Sequence, residues 1–321
     1  MEIKLTKADK IILRNVEYNA RIFEKELARK CNLSKDSIRY RINRLKKLGV
    51  ITGTGAFIDY TALGYSSYKL YLKLSATNEQ KEELRKYLGT QKQIFAIFES
   101  SGNWDIAIAV FAKTRGEYYE FENNLLSKFG NLIYSKDFCL MIDAVLLQNN
   151  LIIHENQRDE FPVWGGKIVD VDAKDKILMN ELHRDGKQNL LDLGGRAKLS
   201  IDSVSRRIKR LVKSKVIPFF STSINYNKLG FEKYKLFIYV KNYSNDVEEK
   251  ILDFLRTNKH TLNYIKMIGP WKLEVEFLVK NHDEFENILS LIQENFPDII
   301  QKLEFSIFRN EVWFPCEKLL V

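Results

Sequence analysis

The chain is 321 residues long, 45% of them apolar, with 51 Lys and Arg against 42 Asp and Glu and a net charge of +9. That length exceeds what one hydrophobic core organises, and the longest wholly apolar run, residues 106–112, is far too short to span a bilayer, so several domains and no membrane partner are expected. Three widely spaced cysteines, Cys31, Cys139 and Cys316, suit neither a disulfide framework nor a CxxC metal site, and the first ten residues hold no apolar signal core; the expectation is a cytoplasmic protein with reduced thiols, no metal and no cofactor.

Residues 7–17 place Ile11, Ile12 and Val16 at helical spacing, and a second short helix follows over residues 22–30. The segment CNLS then makes a tight turn, in which Asn32 can adopt a left-handed conformation and Ser34 can cap the next helix. In that third helix Ile38, Ile42 and Leu45 form an inward stripe, leaving Lys35, Asp36, Arg39, Tyr40, Asn43 and Lys46 outward. From Ser34 to Leu48 six cations, Lys35, Arg39, Arg41, Arg44, Lys46 and Lys47, face only Asp36, a clustering that suits phosphate. A turn-joined helix pair with a basic second member is the helix-turn-helix arrangement, able to enter a major groove, and GVITGTGAFIDY reads as a β wing after it.

The next ninety residues change pattern. Strands are expected over residues 68–74, 94–100, 105–111 and 133–147 and helices over 79–87 and 116–129, the βαββαβ order of a ferredoxin-like sheet with helices on one face. A connecting segment, residues 153–172, carries Pro162, Gly165 and Gly166. The whole arrangement then recurs. LSKDSIRYRINRLKKLGVI at 33–51 returns as LSIDSVSRRIKRLVKSKVI at 199–217, and a shift of 166 residues superposes Asp9 on Asp175, Gly64 on Gly230 and Tyr68 on Tyr234. The second basic cluster is Arg206, Arg207, Lys209, Arg210, Lys213 and Lys215 against Asp202. Lys198 replaces Asn32, Lys215 replaces Gly49 and Pro218 alters the wing, so the second copy is expected to be divergent and to serve mainly as scaffold.

The fold class expected is therefore α+β: a winged helix-turn-helix (1–60) and a ferredoxin-like domain (61–152), a linker (153–172), then a second winged helix-turn-helix (173–226) and a second ferredoxin-like domain (227–321). The stretch from Asp9 through the leucine-serine turn to R-I-x-R-L-x-x-x-G-V-I resembles the Lrp/AsnC transcription regulators over nearly all of each half. The resemblance implies sequence-selective binding of double-stranded DNA, self-association through the ferredoxin-like domains and a covalently fused dimer, with Arg41 and Arg207 at the family's arginine position. DNA-contacting candidates are Ser34, Lys35, Ser37, Arg39, Tyr40, Arg41 and Arg44 in the first copy and Ser200, Ser203, Arg206, Arg207 and Arg210 in the second. Because Arg39 and Tyr40 become Ser205 and Arg206, an asymmetric operator is expected. The family's small-molecule effector turn is matched by Gly102, Trp104 and Asp105, whereas Lys272 reverses the charge in the second half.

Two other readings stand beside the regulator. Sirohaem decarboxylases resemble this family in fold, and a tandem chain could mimic their paired subunits. A decarboxylase site would call for His or Arg at the sheet; His154, His183, His260 and His282 fall in the linker, helices and loops, and no phosphate loop or nucleophile motif is present, so no catalytic residue is expected. An assembly protein with vestigial DNA heads is the third reading.

Overall fold

The structure, a computed structural model, describes residues 3–153, 158–314 and 317–320; His154 and Cys316 lie outside the described residues. The first head consists of helices α1 (Lys7–Val16), α2 (Glu24–Cys31) and α3 (Lys35–Lys47) and strand β1 (Ile51–Ala56). Thr6 and Asp9 start α1 with a reciprocal capping box, and Asn32, at φ 52°, ends α2 in the left-handed conformation that the turn requires.

The first ferredoxin-like unit follows as β2 (Ser66–Leu74), α4 (Asn78–Thr90), β3 (Ile94–Gly102), β4 (Ile106–Ala112), α5 (Arg115–Phe129) and β5 (Ile133–Leu147). The connecting segment is more than a linker, because residues Glu160–Val163 form a strand, β6, that pairs with the end of β5. Pro162 is tolerated there because β6 is an edge.

The second head has helices α6 (Ala173–Arg184), α7 (Leu190–Ala197) and α8 (Ile201–Lys213) and strand β7 (Phe220–Ile224). Its turns keep the geometry of the first despite their residues: Lys198 sits at φ 52° and Lys215 at φ 61°, where Asn32 and Gly49 have 52° and 69°. Tertiary packing of Leu193, Val204, Leu211 and Ile217, all buried, offsets a backbone cost of roughly 1–2 kcal/mol at each lysine. The second unit closes the chain with β8 (Glu232–Val240), α9 (Asn245–Thr257), β9 (Thr261–Ile268), β10 (Leu273–Val279), α10 (His282–Asn295), β11 (Ile300–Trp313) and α11 (Glu317–Leu320).

The halves are joined about a pseudo-two-fold axis. The wings pair with each other, β1 against β7, with Gly55 opposite Ser221 at the centre. Asp59 N donates to Val216 O at 3.0 Å and its counterpart Asn225 N to Val50 O at 2.8 Å. The contact is self-complementary, as in a two-fold dimer, but lies within one chain. Gly55 cannot carry a side chain, since a Cβ would sit 2.6 Å from His183 O in α6.

Each ferredoxin-like sheet has its closing strand at one edge, and those long strands continue into the opposite sheet: β5 pairs with β2 and then β9, β11 with β8 and then β3. The ring closes through eight strands, with β6 appended. Sheet pairing, expected from the family, is thus satisfied within the chain. Cores cross over as well: the first head's Ile12, Leu27 and Ile38 share a cluster with Tyr226, Leu229 and Leu262, and the second head's Leu178, Leu193 and Leu211 share one with Ile58, Tyr60 and Phe111.

Alternation along β2 puts Leu70 and Leu72 beneath α4 and α5 and turns Lys69 and Tyr71 into the ring. There Glu274 accepts from Lys69 Nζ at 2.5 Å and Lys235 Nζ at 3.0 Å, and Lys235 also bridges Glu276 at 2.9 Å. Burial pushes the Glu274 carboxyl up, but the two ammonium groups more than offset this and bring it down to about 2. A cavity of about 210 Å³ lies beside this cluster, walled by Phe95, Phe98, Trp164, Lys233, Glu17 and Tyr226 among others.

Candidate nucleic-acid interface

Helix α3 begins at Ser34, whose hydroxyl accepts from Ser37 N at 3.2 Å and bonds Ser37 Oγ at 2.9 Å. Both serines, expected at DNA, are therefore occupied in starting the helix. Lys35 is exposed with no ion pair among the described residues, and Tyr40, although aromatic, is 71% exposed. Arg39 projects outward, bridging Glu24 at 2.8 Å and Asp36 at 3.5 Å. These side chains, with Asn43, Lys46 and Lys47, form the free face of α3.

Arg41 and Arg44 point the other way. The fully buried Asp9 carboxylate accepts from Arg41 Nη1 at 3.0 Å and Arg44 Nη1 at 3.5 Å, and from Thr6 N and Thr6 Oγ1 at 3.0 and 2.8 Å. The pattern repeats at Asp175, which takes Arg207 at 2.8 Å and Arg210; Arg207 also reaches Asp172 at 2.8 Å. The arginine pair of each recognition helix thus ties it to the first helix of its own head. This explains why the aspartate and the arginine recur together in the two halves.

On the second head Ser200 caps α8 by accepting from Ser203 N at 3.3 Å, and Arg206 is exposed without an ion pair among the described residues. The flank that is basic in the first head is apolar here: Lys25, Lys35 and Lys46 are matched by Leu191 (69% exposed), Ile201 (48%) and Val212 (36%). Lys25, Lys46 and the second head's Lys187 belong with the exposed cations of the first head. Lys46 was legible from the helix period; Lys187 comes from the other half and left no local signal.

The effector-type turn is a seam between the halves. Gly102 has φ 116°, and a Cβ there would meet Phe305 O at 2.8 Å. Trp104 is buried with its N donating to Ser306 Oγ at 3.1 Å, and Asp105 is held by Lys73 Nζ at 3.2 Å and Leu74 N at 2.8 Å. Trp104 and Trp271 pack 6.3 Å apart inside the ring. The side-chain rings of His183 and His260 contact the Ala56 and Leu278 carbonyls, and His282 pairs with Glu286. Among the described residues, no group of three or more His, Cys, Asp or Glu could hold a metal and no helix is long and apolar enough to cross a membrane.

The winged helix-turn-helix DNA-binding family matches residues 5–52 and 171–217, the two heads just described. An uncharacterised HTH-type transcriptional regulator of Pyrococcus furiosus is 31% identical over 107 residues, 32% of this chain and 68% of that protein. One from Pyrococcus abyssi is 24% identical over 157 residues, 49% of this chain and 97% of its own, and the proline dehydrogenase transcriptional activator of Rhodobacter capsulatus is 28% identical over 44% of this chain and 90% of its own. Among solved structures, the sirohaem decarboxylase NirDL has the same fold throughout, with a TM-score of 0.65 and 11% identity over 97% of this chain and 96% of that one. Single-unit regulators match up to about half of this chain and two of its regions match the DNA-binding family, so the chain belongs to the winged helix-turn-helix transcriptional regulators, with the DNA-binding unit present twice.

Proposed function

We propose that the protein binds double-stranded DNA sequence-selectively and regulates transcription, acting as a fused dimer whose two heads are held at one fixed spacing. The observation that carries this reading is the free face of α3, where Lys35, Arg39, Tyr40, Asn43, Lys46 and Lys47 are exposed with Asp36 as the one acid among them. Such a face supplies side chains to base edges and cations to phosphates. Arg39 and Tyr40 are the readers in the first head and Arg206 in the second, while Arg41, Arg44, Arg207 and Arg210 act by positioning the helices. A regulator of this kind works in the cytoplasm beside the chromosome.

Selection from a random duplex pool by the intact protein, with Arg39→Ala and Tyr40→Ala beside it, tests the reading. A recovered motif that relaxes in either variant is expected; a pool left unselected at low salt overturns it. The full-length likeness to NirDL favours one second reading, a tetrapyrrole-modifying enzyme. Under it the purified protein would take up an iron-tetrapyrrole with a Soret band; an unchanged visible spectrum disposes of it.

A further inference from the structure

Where the two heads meet, a groove of about 540 Å³ runs along the start of α2 and the N-terminus of α3, and its wall is completed by a residue of the other head. Lys25 and Lys35 come from the first head and Lys187, between α6 and α7, from the second. None of the three makes a salt bridge among the described residues, and all are exposed. Lys187 is close enough to α3 that partial desolvation and the charge on Lys46 hold its ammonium below the ordinary lysine range. Like charges gathered along one groove repel one another, and an anion bound between them relieves that repulsion.

Two acids stand nearby and their charges favour the Lys187 ammonium, but neither forms a salt bridge to it among the described residues. Glu24 lines the groove but is bound by Arg39 at 2.8 Å, and Asp185 is occupied by Thr54 Oγ1 at 2.8 Å and Lys187 N at 2.9 Å. Arg21, the counterpart of Lys187 under the internal repeat, is fixed by Gly186 O and Gln188 O and lies over Phe220, 4.6 Å from its centroid. The structural role thus falls to Arg21 and the free ammonium to Lys187. No matching cationic groove can form on the second head, because Leu191 and Ile201 stand where Lys25 and Lys35 stand on the first.

We infer that this groove is a composite phosphate clamp: the second head lends Lys187 to the first, and consecutive phosphates of one DNA strand lie across Lys25, Lys35 and Lys187, making the grip on the backbone one-sided. The inference rests on the DNA-binding reading above and adds to it a division of labour between the heads. It also gives fusion a purpose at the site, since one of the three lysines of the clamp would be missing from an unpaired unit.

The test is the salt dependence of binding to a selected duplex by the full chain and by its Lys187→Gln, Lys25→Gln and Lys280→Gln variants. Each phosphate contact contributes about 0.9 to the slope of log Kobs against log salt. Lys187→Gln and Lys25→Gln are each expected to lower the slope by about that amount while keeping the selected motif. Lys280→Gln, outside both heads and not lining the groove, should leave it unchanged. If Lys187→Gln behaves like Lys280→Gln while the wild type still selects its motif, the clamp is wrong and DNA binding stands; failure of every variant and of the wild type to bind at low salt overturns both.

Discussion

Replacing Asp9 by Asn removes the charge at the one buried carboxylate that ties α1 to α3. The group is fully buried and takes four donors, two from Thr6 and one each from Arg41 and Arg44. Asparagine keeps one acceptor oxygen, so the two guanidinium bonds lose their charged partner. Hydrogen bonds to charged groups contribute about 1.5–3 kcal/mol each, and breaking a buried pair costs about 3–5 kcal/mol. The Arg41 and Arg44 side chains are 26% and 38% exposed and recover some hydration, and the Arg44 contact is long at 3.5 Å, which puts the cost near the lower end, about 3 kcal/mol. Urea unfolding reads it as a lower midpoint at unchanged slope. Arg41→Gln should destabilise comparably, and the double variant should cost less than the two added together. The pH dependence has a definite sign. Burial raises the Asp9 pKa, but the Thr6 bonds and Arg41 outweigh it and leave it below the ordinary 3.8. Its contribution is therefore present above that value and lost as pH falls through the depressed one, so wild type and Asp9→Asn should converge in acid. A cost below about 1 kcal/mol for Asp9→Asn, joined to an Arg41→Gln variant of normal stability that no longer binds DNA, would refute the reasoning and return Arg41 to the DNA face.

Two further outcomes follow from the backbone and from burial. Lys215→Gly, at φ 61°, should raise stability by about 1 kcal/mol, since glycine removes the left-handed penalty at a modest entropic cost; an unchanged or lower melting temperature would contradict it. Glu17, buried beside the cavity, has its carboxyl pushed up to about 7 by desolvation, against the opposing bonds from Tyr226 and Asn149 N. The native state then holds a proton that the unfolded chain releases near 4.5, so stability falls between about pH 4.5 and 7 and is level above, by about 3 kcal/mol in all at 1.36 kcal/mol per unit. Glu17→Gln should flatten that stretch of the melting-temperature profile, and an unaltered profile would show that Glu17 does not carry it.

Much of this protein was written locally. The helix stripes, the Asn32 turn, the Ser34 cap and the βαββαβ order depend on period and on residue conformational preference, both readable within a window of a dozen residues, and the duplication was visible by superposing the chain on itself. What the sequence by itself determined was thus the inventory of units and their family. Tertiary structure alone decided which residues within them are free. Arg41 and Arg207 lie among basic residues in the sequence, yet buried Asp9 and Asp175, more than thirty positions away, claim them. Lys69 and Lys235 alternate with apolar residues as a solvated face would, but the two sheets close over them in the ring, where both pair with Glu274. Lys187 is one surface lysine until the pairing of β1 with β7 brings it to the start of α3. Each of these outcomes depends on a contact across the pseudo-two-fold axis or between distant helices, and electrostatic partnership at such separation has no periodicity from which it could be read.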